Sequence, residues 1–230
     1  MKLVRPARLA AAIVVALAIA FLSGCSQQPG TAAVVGGVPI STADVDLLAR
    51  VQCADLANQG PSAAGSTTVS VASVRIGALS GLIQSELNAQ FAAKKHASYV
   101  KAQLQTQMAQ AAPVLDRLPE ADRAPVSDLI ESFNRGQLQV AEVGRKALLA
   151  QGVKNPTIGN SLNAGQALRD QFAKTVRISV SPDYAPGKDG LPGTGEGSMS
   201  VPVSDFAKQS ASGSPRPSWA IGLPPNQKCG

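Results

Sequence analysis

Apolar side chains recur at helical spacing along most of the chain, and short extended segments stand at both ends of this helical stretch. Residues 32–40, with the sequence AAVVGGVPI, predict a strand, a Gly-Gly turn and a returning strand. Residues 176–180 alternate between apolar and polar side chains, which is typical of a half-buried strand. The predicted helices between these segments begin at Ser41 and cover residues 41–57, 71–96, 98–113, 126–152 and 163–174.

The composition divides the chain into one folded domain and a tail. Residues 32–182 carry the periodic apolar pattern, and about 150 residues can bury roughly 68–70% of the surface of their unfolded chain. Of the last 49 residues, 23 are Pro, Gly or Ser, and no apolar period persists among them. We therefore predict a mainly α domain over residues 32–182, followed by an extended or disordered tail over residues 183–230.

The first 25 residues have the pattern of a bacterial lipoprotein signal. Three basic residues precede the apolar stretch 9–22, which is shorter than the span of about 20 residues that a bilayer requires. Small residues then precede a cysteine in the run Leu22-Ser23-Gly24-Cys25. We predict a signal peptide over residues 1–24, a polar tether over residues 25–31, and a lipid on Cys25 that anchors the chain to the outer face of the cytoplasmic membrane. The alternative is an ordinary secretory signal in which Cys25 is incidental.

Two cysteines remain if Cys25 is acylated, and an oxidising compartment favours their pairing. Cys53 falls on the apolar face of the first predicted helix, and Cys229 lies in the tail. We predict one disulfide between them, which would tie the tail back to that helix. The alternative is two free thiols, with Cys53 serving as a small apolar residue on a helix face.

The charge balance does not favour nucleic acid as a partner. Without the three basic residues of the signal, the chain keeps 18 basic and 15 acidic side chains. No run of basic residues is longer than Lys94-Lys95. A nucleic-acid-binding surface needs a basic patch, so we expect no nucleic-acid partner.

Residue types that carry catalysis or bind metals are sparse. The one histidine, His96, lies on the polar part of the second predicted helix, and we interpret it as a solvated surface residue. No G-x-S-x-G elbow or dinucleotide-binding loop occurs in a suitable context. We expect no enzymatic activity, no cofactor and no metal site. Four acidic residues group loosely around a connection between helices, which we interpret as solvated: Asp116, Glu120, Asp122 and Asp128.

Four segments, taken in order along the chain, match the pattern of one known family. Residues 33–40 (AVVGGVPI) are similar to its opening strand and turn, and residues 41–45 (STADV) to the helix start that follows. Residues 79–87 (LSGLIQSEL) resemble its long-helix motif. Residues 176–184 (VRISVSPDY) resemble its closing strand, with Asp183 in place of the usual arginine. The chain thus resembles the N-terminal chaperone domain of the SurA family of periplasmic folding factors, which PrsA-like foldases share.

This resemblance has consequences for both fold and function. It implies that the first and last strands pair, so that a multi-helix body is closed by a short β pair from the two ends of the domain. It also implies a chaperone-like binder of unfolded or exported polypeptides. The prolyl-isomerase domain that such foldases often carry has no counterpart in the Pro- and Gly-rich tail, so binding without catalysis is expected.

A chaperone of this class needs an apolar groove that accepts unfolded chains, and flexible Met and Leu side chains suit that role. The second predicted helix is apolar on more than one side, which suggests a groove beside it; the alternative is that these residues form ordinary core. The predicted groove residues are Leu82, Leu87, Phe91, Val100, Leu104 and Met108.

A different function is also open. The chain could be a scaffold lipoprotein that holds one dedicated envelope partner through the tail segment 214–219 (SPRPSW).

Overall fold

The computed structural model describes residues 29–58, 68–187, 190–193, 203–211 and 217–229. The predicted signal peptide, Cys25 and most of the predicted tether lie outside these residues. The described chain is mainly helical and includes short antiparallel strands. Its elements are β1 Thr31–Val35, β2 Val38–Ser41, α1 Thr42–Asn58, β3 Val69–Ser70, α2 Val71–Lys94, α3 Lys101–Leu115, α4 Glu120–Ala150, α5 Ile158–Ala173, β4 Ile178–Val180, α6 Asp205–Ala211, α7 Pro217–Ile221 and β5 Lys228–Cys229.

Strand β1 lies at the centre of a three-stranded antiparallel sheet in the order β2-β1-β4. The β1–β2 turn has Gly36 at φ +58° and Gly37 at φ +91°. A two-residue hairpin turn with positive φ at both positions matches the twist of its strands, and glycine adopts it without a steric penalty. The side chain of Gln90 on α2 donates to the carbonyl oxygen of Val35 at 2.8 Å, which fixes the hairpin to the helical body. The predicted strand, turn and return are confirmed, as is the pairing of the first and last strands of the domain.

The main core lies between this sheet and helix α2. The predicted stripe of α2 faces inward: Leu79 is 0% exposed, Ile83 2% and Phe91 1%. Leu79 and Ile83 pack with Val35 of β1 and Val45 of α1 in one cluster. Burial of such large aliphatic side chains is the main favourable term in folding, at about 1.5–3 kcal/mol for each. Helix α2 is therefore the element around which the domain is organised.

Helix α4 begins earlier than the sequence pattern predicts, because its proline lies inside the helix. Pro125 follows the first helical turn, where its fixed φ suits a helix and its missing N–H removes only one hydrogen bond. Two acidic residues, Glu120 and Asp122, occupy the first turn and favour the positive end of the helix dipole. Val126 packs with Leu47 of α1 in a second cluster, and this contact holds the start of the helix in place.

Helices α4 and α5 pack closely because glycine occupies the contact on each side. A Cβ on Gly165 would overlap the carbonyl oxygen of Val140, and a Cβ on Gly144 would overlap the carbonyl oxygen of Ser161. Both obstacles are backbone atoms, which cannot rotate away as a flexible side chain can. The close approach of the two helices therefore depends on the absence of a side chain at both positions.

The tail departs from the sequence prediction, and so does the end of the domain. Tyr184, placed in the tail by the predicted boundary at residue 182, is 3% exposed and belongs to the main core. Helices α6 and α7 and strand β5 lie in the described part of the tail, and β5 pairs with β3. The expectation of an extended or disordered tail is therefore wrong for these residues. The predicted disulfide between Cys53 and Cys229 is present and, with the β3–β5 pairing, ties the end of the tail to the body, which composition alone does not indicate.

Among the described residues, no helix combines the length and the hydropathy that crossing a bilayer requires.

Candidate functional site

The six predicted groove residues do not line a common surface. Leu87, Phe91 and Leu104 are 5%, 1% and 8% exposed, and Leu82 packs on the cluster beneath the sheet. Phe91 instead contacts Phe172 of α5, with ring centroids 5.7 Å apart. The predicted groove is therefore incorrect. Helix α2 is apolar on more than one side because it contacts the sheet, α1 and α4 at once.

The remaining two predicted residues lie nearer the surface. Met108 is half-buried, and its sulfur lies 3.9 Å from the side-chain nitrogen of Asn134 on α4. Val100 is 58% exposed. Of the six, Val100 alone lines the cleft described next.

A cleft of about 660 Å³ opens between α3, α4 and the start of α5. Its walls mix aliphatic side chains with amides, hydroxyls and one pair of opposite charges. The lining residues are Ser98, Tyr99, Val100, Gln103, Thr106, Gln107, Gln110, Leu138, Ala141, Glu142, Arg145, Pro156, Ile158 and Ser161.

Val100 and Ile158, two large aliphatic side chains of the cleft, are exposed because each lies at the N-terminal end of a helix. Val100 precedes the first turn of α3, and its carbonyl oxygen accepts from the backbone N–H of Leu104 at 3.3 Å. Ile158 is the first residue of α5 and is 72% exposed. The Thr157 hydroxyl caps this helix by accepting from the N–H of Asn160 at 3.2 Å. The capped end keeps Ile158 outside the core, where an apolar partner can cover it.

Three glutamines stand on one face of α3 toward the cleft. Gln103, Gln107 and Gln110 follow helical spacing, so their side chains are neighbours. The Oε1 atom of Gln107 is buried and has no hydrogen-bond partner among the described residues. Leaving a buried acceptor unpaired costs about 1–3 kcal/mol. Each amide both donates and accepts, so the row matches a polypeptide backbone.

The charged groups of the cleft neutralise one another. The guanidinium of Arg145 donates to both carboxylate oxygens of Glu142, at 2.7 Å and 2.9 Å. This hydrogen bonding, assisted by the nearby charges of Arg145 and Lys146, lowers the pKa of Glu142 below its usual value, although burial opposes the shift. The same hydrogen bond raises the pKa of Arg145. The pair gives the cleft no net charge at neutral pH.

A lowered pKa at Glu142 predicts a specific dependence of stability on pH. A carboxyl group whose pKa is lower in the folded than in the unfolded state stabilises the fold at pH values above its unfolded-state pKa. This stabilisation is lost as the pH falls through the folded-state pKa. The Glu142→Gln variant should therefore lose less thermal stability than the parent chain when the pH falls from about 5 to 3. Thermal melts monitored by circular dichroism across this interval would measure the difference.

Glu131 supplies the control for this prediction. It lies on the same helix and pairs with Arg135 at 3.7 Å, but its side chain is 45% exposed, against 21% for Glu142. Glu131→Gln should follow the parent profile, because an exposed pair contributes little. If the two variants had the same profile, the pairing of Glu142 would not contribute to acid sensitivity.

The two cysteines and Trp219 do not line the cleft. Cys53 and Cys229 form a disulfide, with Cα atoms 4.8 Å apart. Trp219 packs against Phe206, with ring centroids 5.4 Å apart, and its indole N–H donates to the carbonyl oxygen of Phe206 at 3.0 Å. The tryptophan thus docks on another part of the tail.

The residues considered for catalysis lie apart from the cleft. His96 is exposed at the end of α2, with a φ of +47°. Asp122 approaches Arg50 of α1 at 3.5 Å. Within the described ranges, no three His, Cys, Asp or Glu side chains are grouped so as to hold a metal ion.

Most of the cleft was missed by the sequence prediction. The glutamine spacing on α3 was a readable signal, and so was Thr157 as a cap that leaves Ile158 exposed. The contribution of α4 carried no such signal, because Leu138 and Glu142 lie on a helix whose orientation depends on the glycine contact with α5.

Comparison of the chain with protein-family models, with curated proteins and with solved structures gives no match. Its function is therefore inferred from its own residues.

Proposed function

We propose that this chain is a membrane-anchored extracytoplasmic lipoprotein that binds unfolded or exported polypeptides in a chaperone-like manner, without catalysis. The observation that carries the proposal is the cleft between α3, α4 and α5. The lipoprotein signal pattern and the resemblance to the SurA chaperone domain, both read from the sequence, support the same conclusion. Neither a cofactor nor a nucleic acid is part of the proposal.

The chemistry of the cleft suits an extended polypeptide of unspecified sequence. Gln103, Gln107 and Gln110 can pair with backbone N–H and C=O groups, which every polypeptide carries. Val100 and Ile158 offer apolar contact without a shaped pocket that would select one side chain. The paired charges of Glu142 and Arg145 give no preference for acidic or basic clients.

The apolar contact is strong enough to hold a client and weak enough to release it. Covering the exposed parts of Val100 and Ile158 would contribute about 2–4 kcal/mol in total. Association itself costs several kcal/mol, so contact of this size with hydrogen bonds to the amides gives weak and reversible binding. Such affinity suits transient protection of a folding chain.

Replacing Val100 and Ile158 together with serine should strongly reduce the suppression of client aggregation. The parent chain is expected to suppress the aggregation of several unrelated, chemically unfolded proteins when they are diluted from denaturant. Light scattering against the ratio of chain to client would measure the effect. Both side chains are exposed, so the melting temperature should change little.

Two other exposed aliphatic residues provide the matched control. Leu149 is 44% exposed and Val153 is 39% exposed, and neither lines the cleft. Leu149→Ser with Val153→Ser should keep the activity of the parent chain. If both double variants suppressed aggregation equally well, the cleft would not be the client site.

A second candidate function is a scaffold lipoprotein that holds one dedicated envelope partner. The exposed side chains of Phe206 and Ile221 in the described tail favour this alternative, since they offer a contact separate from the cleft. A scaffold would bind its partner at a fixed ratio and would not suppress the aggregation of unrelated clients. The aggregation experiment therefore separates the two functions.

A further inference from the structure

The polar side chains that α3 contributes to the cleft have unused hydrogen-bonding capacity. Gln103, Gln107 and Gln110 all line the cleft, and among the described residues none of their side chains has a hydrogen-bond partner. Thr106 lies between them on the same wall, but its hydroxyl already donates to the carbonyl oxygen of Ala102 at 3.0 Å. The amide groups of the three glutamines are therefore available to a bound molecule.

Two other glutamines of this protein show what such an amide can bind. Gln139 of α4 donates to the carbonyl oxygen of Ala97 at 3.0 Å, and Gln90 of α2 donates to that of Val35 at 2.8 Å. In both cases the accepting carbonyl belongs to a non-helical segment. Carbonyl groups inside a helix already accept a hydrogen bond within that helix. The glutamines of α3 can make the same kind of bond to a non-helical chain that enters the cleft.

The spacing of the three glutamines corresponds to that of an extended chain. We define the glutamine row as Gln103, Gln107 and Gln110, which share an arc of about 60° on the surface of α3. Along the helix axis Gln103 and Gln107 are about 6 Å apart, and Gln103 and Gln110 about 10.5 Å. On an extended chain, groups on the same side recur about every 6.6–6.8 Å, and three residues span about 10 Å. The row therefore matches about four residues of an extended polypeptide.

We infer that the glutamine row holds the backbone of a client segment of about four residues in an extended conformation. The inference rests on the proposed function for the choice of a polypeptide as the ligand, and it names the kind of segment that the cleft accepts. A helical segment cannot bind in this way, because its backbone N–H and C=O groups are bonded to one another except at its ends. The cleft thus selects client segments by their backbone conformation.

An NMR titration of the isotopically labelled full chain with short peptides tests the inference. The probe is a capped hexapeptide of alternating threonine and valine, residue types that favour an extended backbone. The side-chain amide signals of the glutamine row should shift during the titration. The signal of Gln105 should stay in place, because Gln105 is exposed on the same helix but does not line the cleft.

Two modified peptides separate backbone recognition from other contacts. A peptide whose interior backbone nitrogens are methylated should bind about tenfold more weakly than the probe, because it has lost the N–H groups that the row accepts. A peptide with α-aminoisobutyric acid in place of valine favours a helix, and it should also bind more weakly than the probe.

A comparison of two variants isolates the hydrogen bonds from the bulk of the added methyl groups. In Gln103→Leu, which keeps a side chain of similar size, the difference between the probe and the methylated peptide should fall from about tenfold to about threefold. Gln105→Leu should keep the difference measured for the parent chain. Both residues are exposed, so neither variant should change the melting temperature appreciably.

Each outcome supports or overturns the inference. Equal binding of the probe and the methylated peptide to the parent chain would overturn it, even if a variant failed to fold. An equal difference between these peptides in Gln103→Leu and Gln105→Leu would overturn the role of the row. Tighter binding of the helix-forming peptide would assign the cleft to helical segments instead, and absence of binding of all three peptides would also refute the inference.

The aggregation experiment tests the proposed function separately. Suppression of aggregation that is lost in Val100→Ser with Ile158→Ser, without any preference among the peptides, would refute the role of the glutamine row and leave the chaperone-like function in place. A clear preference for the probe in a chain that does not suppress aggregation would support the row and refute the chaperone-like function. The two failures are therefore distinguishable.

Discussion

Replacing Gly165 with alanine is expected to lower the free energy of unfolding by about 3 kcal/mol, although alanine is the better helix former. The added Cβ would overlap the carbonyl oxygen of Val140 and stand 3.0 Å from its Cγ1 atom. Relief requires α4 and α5 to move apart, because the main obstacle is backbone. Since α4 and α5 both line the cleft, client binding should fall as well.

Urea denaturation of Gly165→Ala against the parent chain would measure this loss. Gly81 offers a matched control, because it also lies inside a helix and a Cβ there would meet no atom within 4 Å. Gly81→Ala should be neutral or stabilising by about 0.5–1 kcal/mol, as expected from helix propensity. Equal stability of the two variants would mean that α4 and α5 do not pack as closely as described here.

Removing the disulfide is expected to have the second large effect. The bond closes a loop with a sequence separation of 176, and on the chain-entropy account it contributes about 5 kcal/mol. Cys53→Ala with Cys229→Ala should therefore lower the stability and release β5 from β3. The loss should be greatest in the tail, whose few buried side chains, such as Ala220 and Leu223, cannot offset the entropy of ordering it.

Two probes would follow this change. Circular dichroism reports the helical body, and Trp219 fluorescence reports the tail; in the double variant, the fluorescence transition should come at lower denaturant. Lys228→Ala is the control, since it removes an exposed bond to Ile221 and keeps the disulfide. Coincident transitions in the double variant, at the parent midpoint, would contradict a stabilising role for the disulfide.

The features that the sequence predicts well are those with a local cause. Gly36 and Gly37 stand where both turn residues need positive φ, so the hairpin follows from two adjacent residues. The stripe through Leu79, Ile83 and Phe91 identifies the buried face of α2 directly.

Features that depend on several distant segments could not be predicted in this way. An apolar stripe predicts which side chains are buried, but not which element covers them. For this reason the sequence alone places Leu87 and Leu104 beside a groove. The cleft joins Val100, Glu142 and Ile158 from three different elements. Order in the tail depends on a two-residue strand, β5, for which composition gives no signal.

For the export that we propose, the central position of β1 has a consequence for when the domain can fold. One edge of β1 is completed early by β2, but the other waits for β4, roughly 140 residues later, and such non-local pairing forms slowly. If the chain left a translocation pore from the N-terminus to the C-terminus, β1 would therefore stay half-paired until residue 180 had left the pore. The helices would not be fully packed before that point. The native sheet would close only after export of the domain was nearly complete, so folding would follow translocation and would not pull the domain through the pore.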